Sequence, residues 1–199
     1  KGYTMKIIGL TGGIGSGKST VSAYLKQKGI SILDADAIVA AAEAKGSPQF
    51  SAIVKILGQE VLTEEGELDR RLVSKLVFDQ PQKLKALNDI VYACVEDARV
   101  KLLNEKKAEK LVVFDIPLLI ECNWNKKVDE VWLVAVDKET QIARAMARAN
   151  LSREEVEKRI NHQMPLEEKK LYADVILDNS GSLKHLYEQV DAALNKIES

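Results

Sequence analysis

A glycine-rich stretch near the start of the chain limits most strongly what this sequence can fold into. The stretch KIIGLTGGIGSGKST, from Lys6 to Thr20, contains an apolar run after Lys6, five glycines and, at its end, Lys18 followed by two hydroxyl residues. Its part GGIGSGKS, from Gly12 to Ser19, fits the pattern G-x-x-x-x-G-K-[ST]. An apolar strand before this pattern and a helix after it are the context that a phosphate-binding loop requires. We therefore predict a strand, a tight loop and a helix, as at the start of an α/β fold.

The spacing inside the loop predicts contact with the phosphates of a nucleotide. Glycines allow successive backbone N–H groups to turn inward around a phosphate, and the following helix presents its positive dipole end. In this pattern the Lys18 ammonium reaches the β- and γ-phosphates, and the Ser19 hydroxyl binds Mg²⁺. The loop alone leaves open whether the protein is a switch, a motor or a phosphoryl-transfer enzyme.

Short apolar runs elsewhere in the chain predict four further strands. Helical patterns separate the runs, at about residues 19–28, 138–148 and 183–197. This alternation is typical of a doubly wound parallel sheet, whose strands are buried on both faces and whose ligands bind beyond their carboxyl ends. The four runs are Ile30–Asp36, Leu111–Asp115, Glu130–Asp137 and Ala173–Asn179.

Two intervals break the alternation and are predicted to be insertions. Residues 37–110 show helical patterns and turn signals but no convincing strand, which indicates an inserted helical subdomain. Residues 149–170 are polar, charged and helical, and Ser152 is the expected N-cap of a helix there. The predicted core then consists of residues 5–36, 111–148 and 171–199.

Two patterns favour transfer of a phosphoryl group to an organic hydroxyl. A guanine-selective switch needs Asn-Lys-x-Asp, whereas NKKVD, which begins at Asn125, has its aspartate one residue too far along. A motor ATPase usually places Glu after the acidic residue that ends its third strand, whereas Ile116 follows Asp115 here. Asp115 is suited to hold Mg²⁺, directly or through water, and the alternative is that it caps the next turn.

Acidic residues near the second strand are candidates for activating or orienting the hydroxyl group that accepts the phosphoryl group. Asp34 and Asp36, in LDAD, are predicted at the end of that strand, where a period of two points both carboxylates the same way. A carboxylate at this edge can accept a hydroxyl proton or orient the attacking oxygen. The alternative for Asp36 is N-capping of a helix.

Arginines in both insertions are candidates for binding phosphate, because the guanidinium fork matches phosphate oxygens. Arg70 and Arg71 lie in the first insertion. The second insertion is a candidate lid, and a mobile lid that bears arginines would exclude water from the reaction and stabilise charge. The alternative is that all of them lie on solvated helix faces. A second series begins just before the second insertion and lines it: Arg144, Arg148, Arg153 and Arg159.

Seven stretches of the chain resemble the dephospho-coenzyme A kinase family and together span nearly its whole length. The glycine loop is common, whereas the combination of LDAD, GELDRR, DIPLLIE and ADVILDN is far more specific. The resemblance implies a P-loop α/β kinase with a five-stranded parallel sheet of order 2-3-1-4-5, a helical acceptor domain at 37–110 and a lid at 149–170. The stretches are GLTGGIGSGKSTV, GISILDADAI, GSP, GELDRR, PLLIE, QIARAMAR and ADVILDNSG.

The resemblance also implies the reaction and the residues that serve it. The family transfers the γ-phosphoryl group of ATP, with Mg²⁺, to the ribose 3′-hydroxyl of dephospho-coenzyme A (dephospho-CoA), the last step of coenzyme A synthesis. Matched by position, the expected catalytic residues are Lys18, Asp36 as the base, Arg144 and Arg148, and the metal ligands are Ser19 and Asp115. The expected nucleotide-binding residues are Gly13, Gly15, Ser16, Gly17, Lys18, Ser19, Thr20 and Asn179. The expected acceptor-binding residues are Asp34, Asp36, Arg70, Arg71, Tyr92, Pro117 and Leu118.

Two positions depart from the family pattern, and both fall on the acceptor side. Ala40 stands where the family usually has Arg, and Tyr92–Ala93 where it usually has His-Pro. The Tyr92 hydroxyl is a substitute hydrogen-bonding group. Two alternatives stay open: another nucleoside or nucleoside-monophosphate kinase, or a nucleotide-binding protein with a weakened acceptor site.

Composition narrows the setting in which the protein works. A formal net charge of −1 provides no broad basic field for nucleic acid, and no apolar run reaches membrane-spanning length. Cys94 and Cys122 lie far apart and are expected to be free thiols in a reducing compartment. We expect a cytoplasmic protein, monomeric or weakly self-associating, whose natural start is Met5.

Overall fold

The computed structural model describes residues 5–198 and contains a five-stranded sheet. Its spatial order is β2-β3-β1-β4-β5, and the registered neighbours of β1 and β4 are all parallel. The predicted sheet and the strand order implied by the family resemblance are both confirmed. The residues before Met5 lie outside the described part. The strands are β1 (Lys6–Gly12), β2 (Ser31–Asp34), β3 (Leu111–Asp115), β4 (Glu130–Ala135) and β5 (Val175–Asp178).

The central strands are buried because their apolar residues face helices on both sides of the sheet. Ile8 and Leu10 of β1 and Val113 of β3 are fully buried, with Trp132 and Val134 of β4 beside them. Val21 and Leu25 from the helix after β1 pack on the same cluster. Burial on both faces explains why these strands have continuous apolar runs instead of alternating ones.

Nine α-helices lie in the described residues. They pack against the sheet or against one another, and the polar intervals 37–110 and 149–170 are largely helical, as their patterns predict. The helices are α1 (Lys18–Gln27), α2 (Ala35–Glu43), α3 (Phe50–Leu57), α4 (Arg70–Asp79), α5 (Pro81–Glu105), α6 (Lys138–Ala149), α7 (Arg153–Asn161), α8 (Leu166–Lys170) and α9 (Leu183–Glu198).

The chain forms two compact units, one of which consists of residues 34–105 and the other of the rest of the described chain. The unit of residues 34–105 contains α2 to α5 and has its own apolar core, in which Ile53, Leu57 and Val61 pack with Leu87 and Val91 of α5. The other unit contains the whole sheet except the last residue of β2.

The structure also describes the predicted helix cap at Ser152 and the two cysteines. Ser152 caps α7 in a complete capping box with Glu155, as predicted. Both cysteines are free thiols.

Across residues 5–198, no helix combines the length and the apolar character needed to cross a membrane.

Candidate functional site

The glycine loop joins β1 to α1 at the carboxyl end of the central strand. Its tight path depends on Gly15 and Gly17, whose φ angles of 70° and 92° lie in the left-handed region that favours glycine. An added Cβ at Gly15 would also lie 2.5 Å from the Gln141 carbonyl oxygen of α6. Gly17 is the N-cap of α1 and has no side chain, so the first N–H groups of α1 stay free of a side-chain cap. Such donors are suited to a phosphate group.

Lys18 forms an ion pair with Asp115, the last residue of β3. Both side chains are largely buried, with 15% and 6% of their surfaces exposed. The register of the sheet explains the contact: Asp115 pairs with Leu10 of β1, so the end of β3 lies beside the start of the loop. The structure therefore brings together the two charged groups that the motif reasoning selected separately.

Asn179, directly after β5, is buried beneath the loop. Its side-chain Nδ2 donates to the Ser16 carbonyl oxygen at 2.8 Å, and its backbone carbonyl oxygen accepts a 3.1 Å hydrogen bond from the Arg144 guanidinium. The Asn179 side chain thus supports the loop from below. Its expected role at the adenine stays a prediction.

Two glutamines against the loop were not selected by the motif reasoning. The Nε2 atom of buried Gln141 would lie 2.5 Å from a Cβ added at Gly13, and Gln163 Oε1 accepts a 3.3 Å hydrogen bond from the Ile14 N–H. Gln141 begins the matched stretch QIARAMAR, in which only the arginines were assigned a role, and Gln163 lies in none of the matched stretches. Each reaches the loop from a distant part of the chain. A polar residue buried against a predicted loop is visible only in three dimensions.

The segment predicted as a lid contains α7 and α8. Val156 of α7 is fully buried against Ile142 and Ala145 of α6, and Ile14 of the loop packs against this cluster. Arg153 binds both carboxylate oxygens of Glu139, at 2.7 and 3.0 Å, and this pairing raises the pKa of Arg153. Arg153 is therefore engaged within the protein.

The two arginines predicted to be catalytic belong to α6. Arg144 is half-buried and Arg148 is exposed, and their spacing of four residues puts them on one face of the helix. Asp137 caps α6 by accepting from the Thr140 N–H at 2.9 Å. The Thr140 hydroxyl donates to the same carboxylate, and these hydrogen bonds lower the pKa of Asp137. Asp137 therefore stays ionised and fixes the start of the helix that bears both arginines.

A cavity of about 940 Å³ opens beside the glycine loop. It lies where β4 and β5 end and where α6 begins, and residues of the predicted lid segment complete its wall. Gln141 and Gln163 belong both to this wall and to the surroundings of the loop. The cavity thus shares two wall residues with the surroundings of the glycine loop.

Pro117 and Leu118 follow β3 in the same unit as the loop. The Pro117 carbonyl oxygen accepts a 2.9 Å hydrogen bond from the buried Thr11 hydroxyl of β1. Leu118 is 38% exposed. Their expected part in shaping the acceptor cleft stays a prediction.

The structure corrects the placement of the acidic pair after β2. The strand ends at Asp34, and Asp36 lies in the first turn of α2, so the strand period of two does not orient the two carboxylates. Asp34, not Asp36, is the N-cap, and its Oδ1 accepts from the Ala37 N–H at 3.0 Å. The Asp34 carboxylate is thus occupied by capping, while Asp36 is exposed.

Within residues 34–105, Arg70 and Arg71 begin α4 and are both exposed. Asp69 caps this helix, accepting from the Arg71 N–H at 2.8 Å. Near Arg70, burial raises the pKa of the Glu43 carboxyl group while the guanidinium opposes the rise. Tyr92 of α5 is 40% exposed. The arginine pair is therefore in contact with solvent at a helix start whose N–H groups are capped by Asp69, and its expected part in binding the acceptor stays a prediction.

The residues suited to Mg²⁺ lie close to the loop. Ser19 is exposed in the first turn of α1, and Asp115 ends β3 beside Lys18. Among the described residues, no group of three or more His, Cys, Asp or Glu side chains could hold a metal. Mg²⁺ commonly keeps several waters and binds one or two protein oxygens plus substrate phosphates, so a hydroxyl and a carboxylate fit it.

Comparison with known proteins matches nearly the whole chain to one family. A family model described as dephospho-CoA kinase matches residues 6–185. The dephospho-CoA kinase of Streptococcus agalactiae serotype Ia is 46% identical over 196 residues, covering 96% of this chain and 99% of that protein. The dephospho-CoA kinase of Symbiobacterium thermophilum is 48% identical over 191 residues, covering 95% of this chain and 80% of that protein.

A solved structure repeats the same architecture. The protein TT1252 from Thermus thermophilus superposes with a TM-score of 0.85 at 40% sequence identity, and the match covers 96% of this chain and 97% of that one. The agreement extends across both insertions, because so high a coverage leaves no large segment of either chain unmatched.

Proposed function

Because this chain belongs to the dephospho-CoA kinase family, we propose that it transfers the γ-phosphoryl group of ATP to the ribose 3′-hydroxyl of dephospho-CoA. The observation that carries the proposal is the Lys18–Asp115 ion pair at the glycine loop. Phosphoryl transfer depends mainly on positioning and on stabilisation of charge at the transferring oxygens. The Lys18 ammonium, which the Asp115 carboxylate holds at the loop, is a preorganised positive charge that can stabilise those oxygens.

On the donor side, the loop N–H groups and Lys18 bind the phosphates, and Arg144 and Arg148 of α6 neutralise charge during transfer. Ser19 and Asp115 hold Mg²⁺, which when bound neutralises charge on the β- and γ-phosphates. The Asn179 side chain stabilises the conformation of the loop, as its 2.8 Å hydrogen bond to the Ser16 carbonyl oxygen supports.

On the acceptor side, Asp36 is the proposed base for the 3′-hydroxyl. It is exposed, it lies two residues beyond the end of β2, and its neighbour Asp34 already performs the capping. Arg70 and Arg71 are the proposed anchors for the acceptor's pyrophosphate, with Tyr92, Pro117 and Leu118 contacting the rest of that molecule.

Loss of either acceptor arginine should weaken binding of one substrate only. We expect Arg70→Ala or Arg71→Ala to raise the KM for dephospho-CoA by about tenfold or more, since a hydrogen-bonded charge contributes about 1.5–3 kcal/mol. The KM for ATP should change less than about twofold. Steady-state kinetics with each substrate varied in turn measures both values.

The matched control is Lys85→Ala, which removes another exposed cation from residues 34–105 without touching α4. That variant should leave both KM values near the wild-type ones. An equal rise in the two KM values of the arginine variants would show that these arginines do not select the acceptor.

The composition of the chain bears on where the enzyme works, on its assembly and on whether it binds nucleic acid. We propose a cytoplasmic enzyme that acts as a monomer or weak homo-oligomer, without nucleic acid. The formal net charge of −1 supports the last point.

An acceptor panel tests the proposal against the two alternative functions. The protein is incubated with ATP and Mg²⁺ and, separately, with dephospho-CoA, adenosine, AMP, CMP or UMP, while ADP formation is followed. We expect rapid ADP formation with dephospho-CoA alone. Turnover of a nucleoside or nucleoside monophosphate instead would support another kinase, and ATP binding without any turnover would support a non-catalytic protein.

A further inference from the structure

A buried lysine in α8 has no part in the proposed reaction. Lys169 is 1% exposed, and its Nζ lies 2.9 Å from Glu121 Oε1. The other carboxylate oxygen, Glu121 Oε2, is buried, and neither it nor the Lys169 Nζ has a hydrogen-bond partner among the described residues, so the contact is an ion pair without hydrogen-bond geometry. A buried ion pair with an oxygen left unpartnered adds little to stability, because removing both charges from water costs free energy. The pair therefore suggests a positioning role.

The same carboxylate also holds the backbone before α8. Glu121 Oε1 accepts a 3.1 Å hydrogen bond from the Met164 N–H. One side chain in the segment after β3 thus fixes two points of the chain, Met164 and Lys169. Both ends of the stretch 164–169, in the last part of the predicted lid segment, are therefore held by Glu121.

The residue next to Met164 is the one that reaches the glycine loop. Gln163 Oε1 accepts the 3.3 Å hydrogen bond from the Ile14 N–H, and it would lie 3.5 Å from a Cβ added at Gly13. The Ile14 side chain meanwhile packs against the cluster of Ile142, Ala145 and Val156. The segment at 149–170 therefore holds the Ile14 backbone through Gln163, and together with α6 it forms the cluster against which the Ile14 side chain packs.

We propose that the Glu121–Lys169 pair is a positioning device that holds Gln163 on the Ile14 N–H and thereby sets the shape of the phosphate loop. Ile14 lies between the two motif glycines, where backbone N–H groups turn toward phosphate. The base of the lid and the phosphate site are then coupled through one glutamine. The inference deepens the proposed function and rests on it for the identity of the nucleotide.

The test compares two neutral ion-pair replacements in the same region. Glu121→Gln with Lys169→Met removes the buried pair and leaves no uncompensated charge. The control, Glu154→Gln with Lys158→Met, removes a 3.0 Å pair of α7 that is exposed. We expect the first replacement to raise the dissociation constant for ATP, measured by calorimetric titration, at least fivefold. The control should change it less than twofold, and dephospho-CoA binding should be unaffected by both.

A further variant asks whether the pair acts through the glutamine. Gln163→Ala alone should weaken ATP binding to a similar extent, and its combination with the buried-pair replacement should weaken it no further, because residues that act in series are not additive. A purely structural pair would give effects that multiply, or a lower melting temperature with ATP binding unchanged. Either result would overturn the proposal.

Hydrogen exchange of the Ile14 amide provides a readout without nucleotide. In the free protein this amide should be protected, and the buried-pair replacement should accelerate its exchange at least tenfold while the control leaves it unchanged. Equal exchange in both variants would contradict the positioning role. If the wild-type protein shows the protection but fails to bind ATP, the proposed nucleotide is wrong and the positioning role stands.

Discussion

Replacing Lys18 by methionine should lower kcat/KM for phosphoryl transfer by about a hundredfold to a thousandfold. Lys18 is the charge that the glycine loop places beside Asp115, and removing one preorganised donor from such a site costs about 2.7–4 kcal/mol of barrier. Methionine preserves most of the length of the side chain, so packing against the loop is largely kept. Initial rates at saturating and limiting ATP measure the change.

A double variant separates catalysis from stability in this experiment. Lys18→Met alone leaves the Asp115 carboxylate buried without its partner, which costs stability as well as activity. Adding Asp115→Asn should restore much of the melting temperature but none of the activity. The control Lys26→Met changes an exposed lysine of the same helix and should retain the wild-type rate. Recovery of turnover in the double variant would show that Lys18 has only a structural role.

Gly17→Ala should lower the free energy of unfolding by about 3 kcal/mol and abolish tight nucleotide binding. The left-handed φ of 92° costs a non-glycine residue about 1–2 kcal/mol. The new Cβ would also overlap Asn179 Nδ2, so the buried hydrogen bond to Ser16 would break at a cost of about 1–3 kcal/mol. Urea denaturation followed by circular dichroism measures the loss.

The matched control is Gly29→Ala in the same unit. Gly29 has a φ of 82°, yet a Cβ added there meets nothing within 4 Å. Gly29→Ala should lower the free energy of unfolding only by the cost of the left-handed backbone, about 1–2 kcal/mol, and should bind nucleotide normally. Equal losses at the two positions would mean that the contact between Gly17 and Asn179 contributes nothing.

The sheet could be predicted from sequence because burial on both faces leaves continuous apolar runs. The run at Leu111–Asp115 is a strand over its full length, and the run predicted at Glu130–Asp137 is a strand from Glu130 to Ala135. The glycine loop has the strand and helix that its motif requires. The run after Ile30 was predicted too long, because Asp34 ends the strand by capping α2. A capping aspartate and a strand-end aspartate have the same local pattern, and only the backbone geometry distinguishes them.

Part of the candidate site could not be found from sequence. Lys18 and Asp115 stand in recognisable motifs, so each could be selected before their contact was known. Gln163 and Lys169 lie in a polar segment whose charges resemble those of a solvated helix face, yet Lys169 is buried. The partner of Lys169 is distant in the chain, and burial of a single charge leaves no periodic signal.

The position of the new phosphate tests the central proposal most directly. The protein is incubated with ATP, Mg²⁺ and dephospho-CoA, and the product is analysed by mass and by phosphorus NMR. We expect one added phosphoryl group, located on the ribose 3′-oxygen, with one ADP formed for each product molecule. A phosphate at any other oxygen, or ADP formation with dephospho-CoA left unchanged, would contradict the proposal.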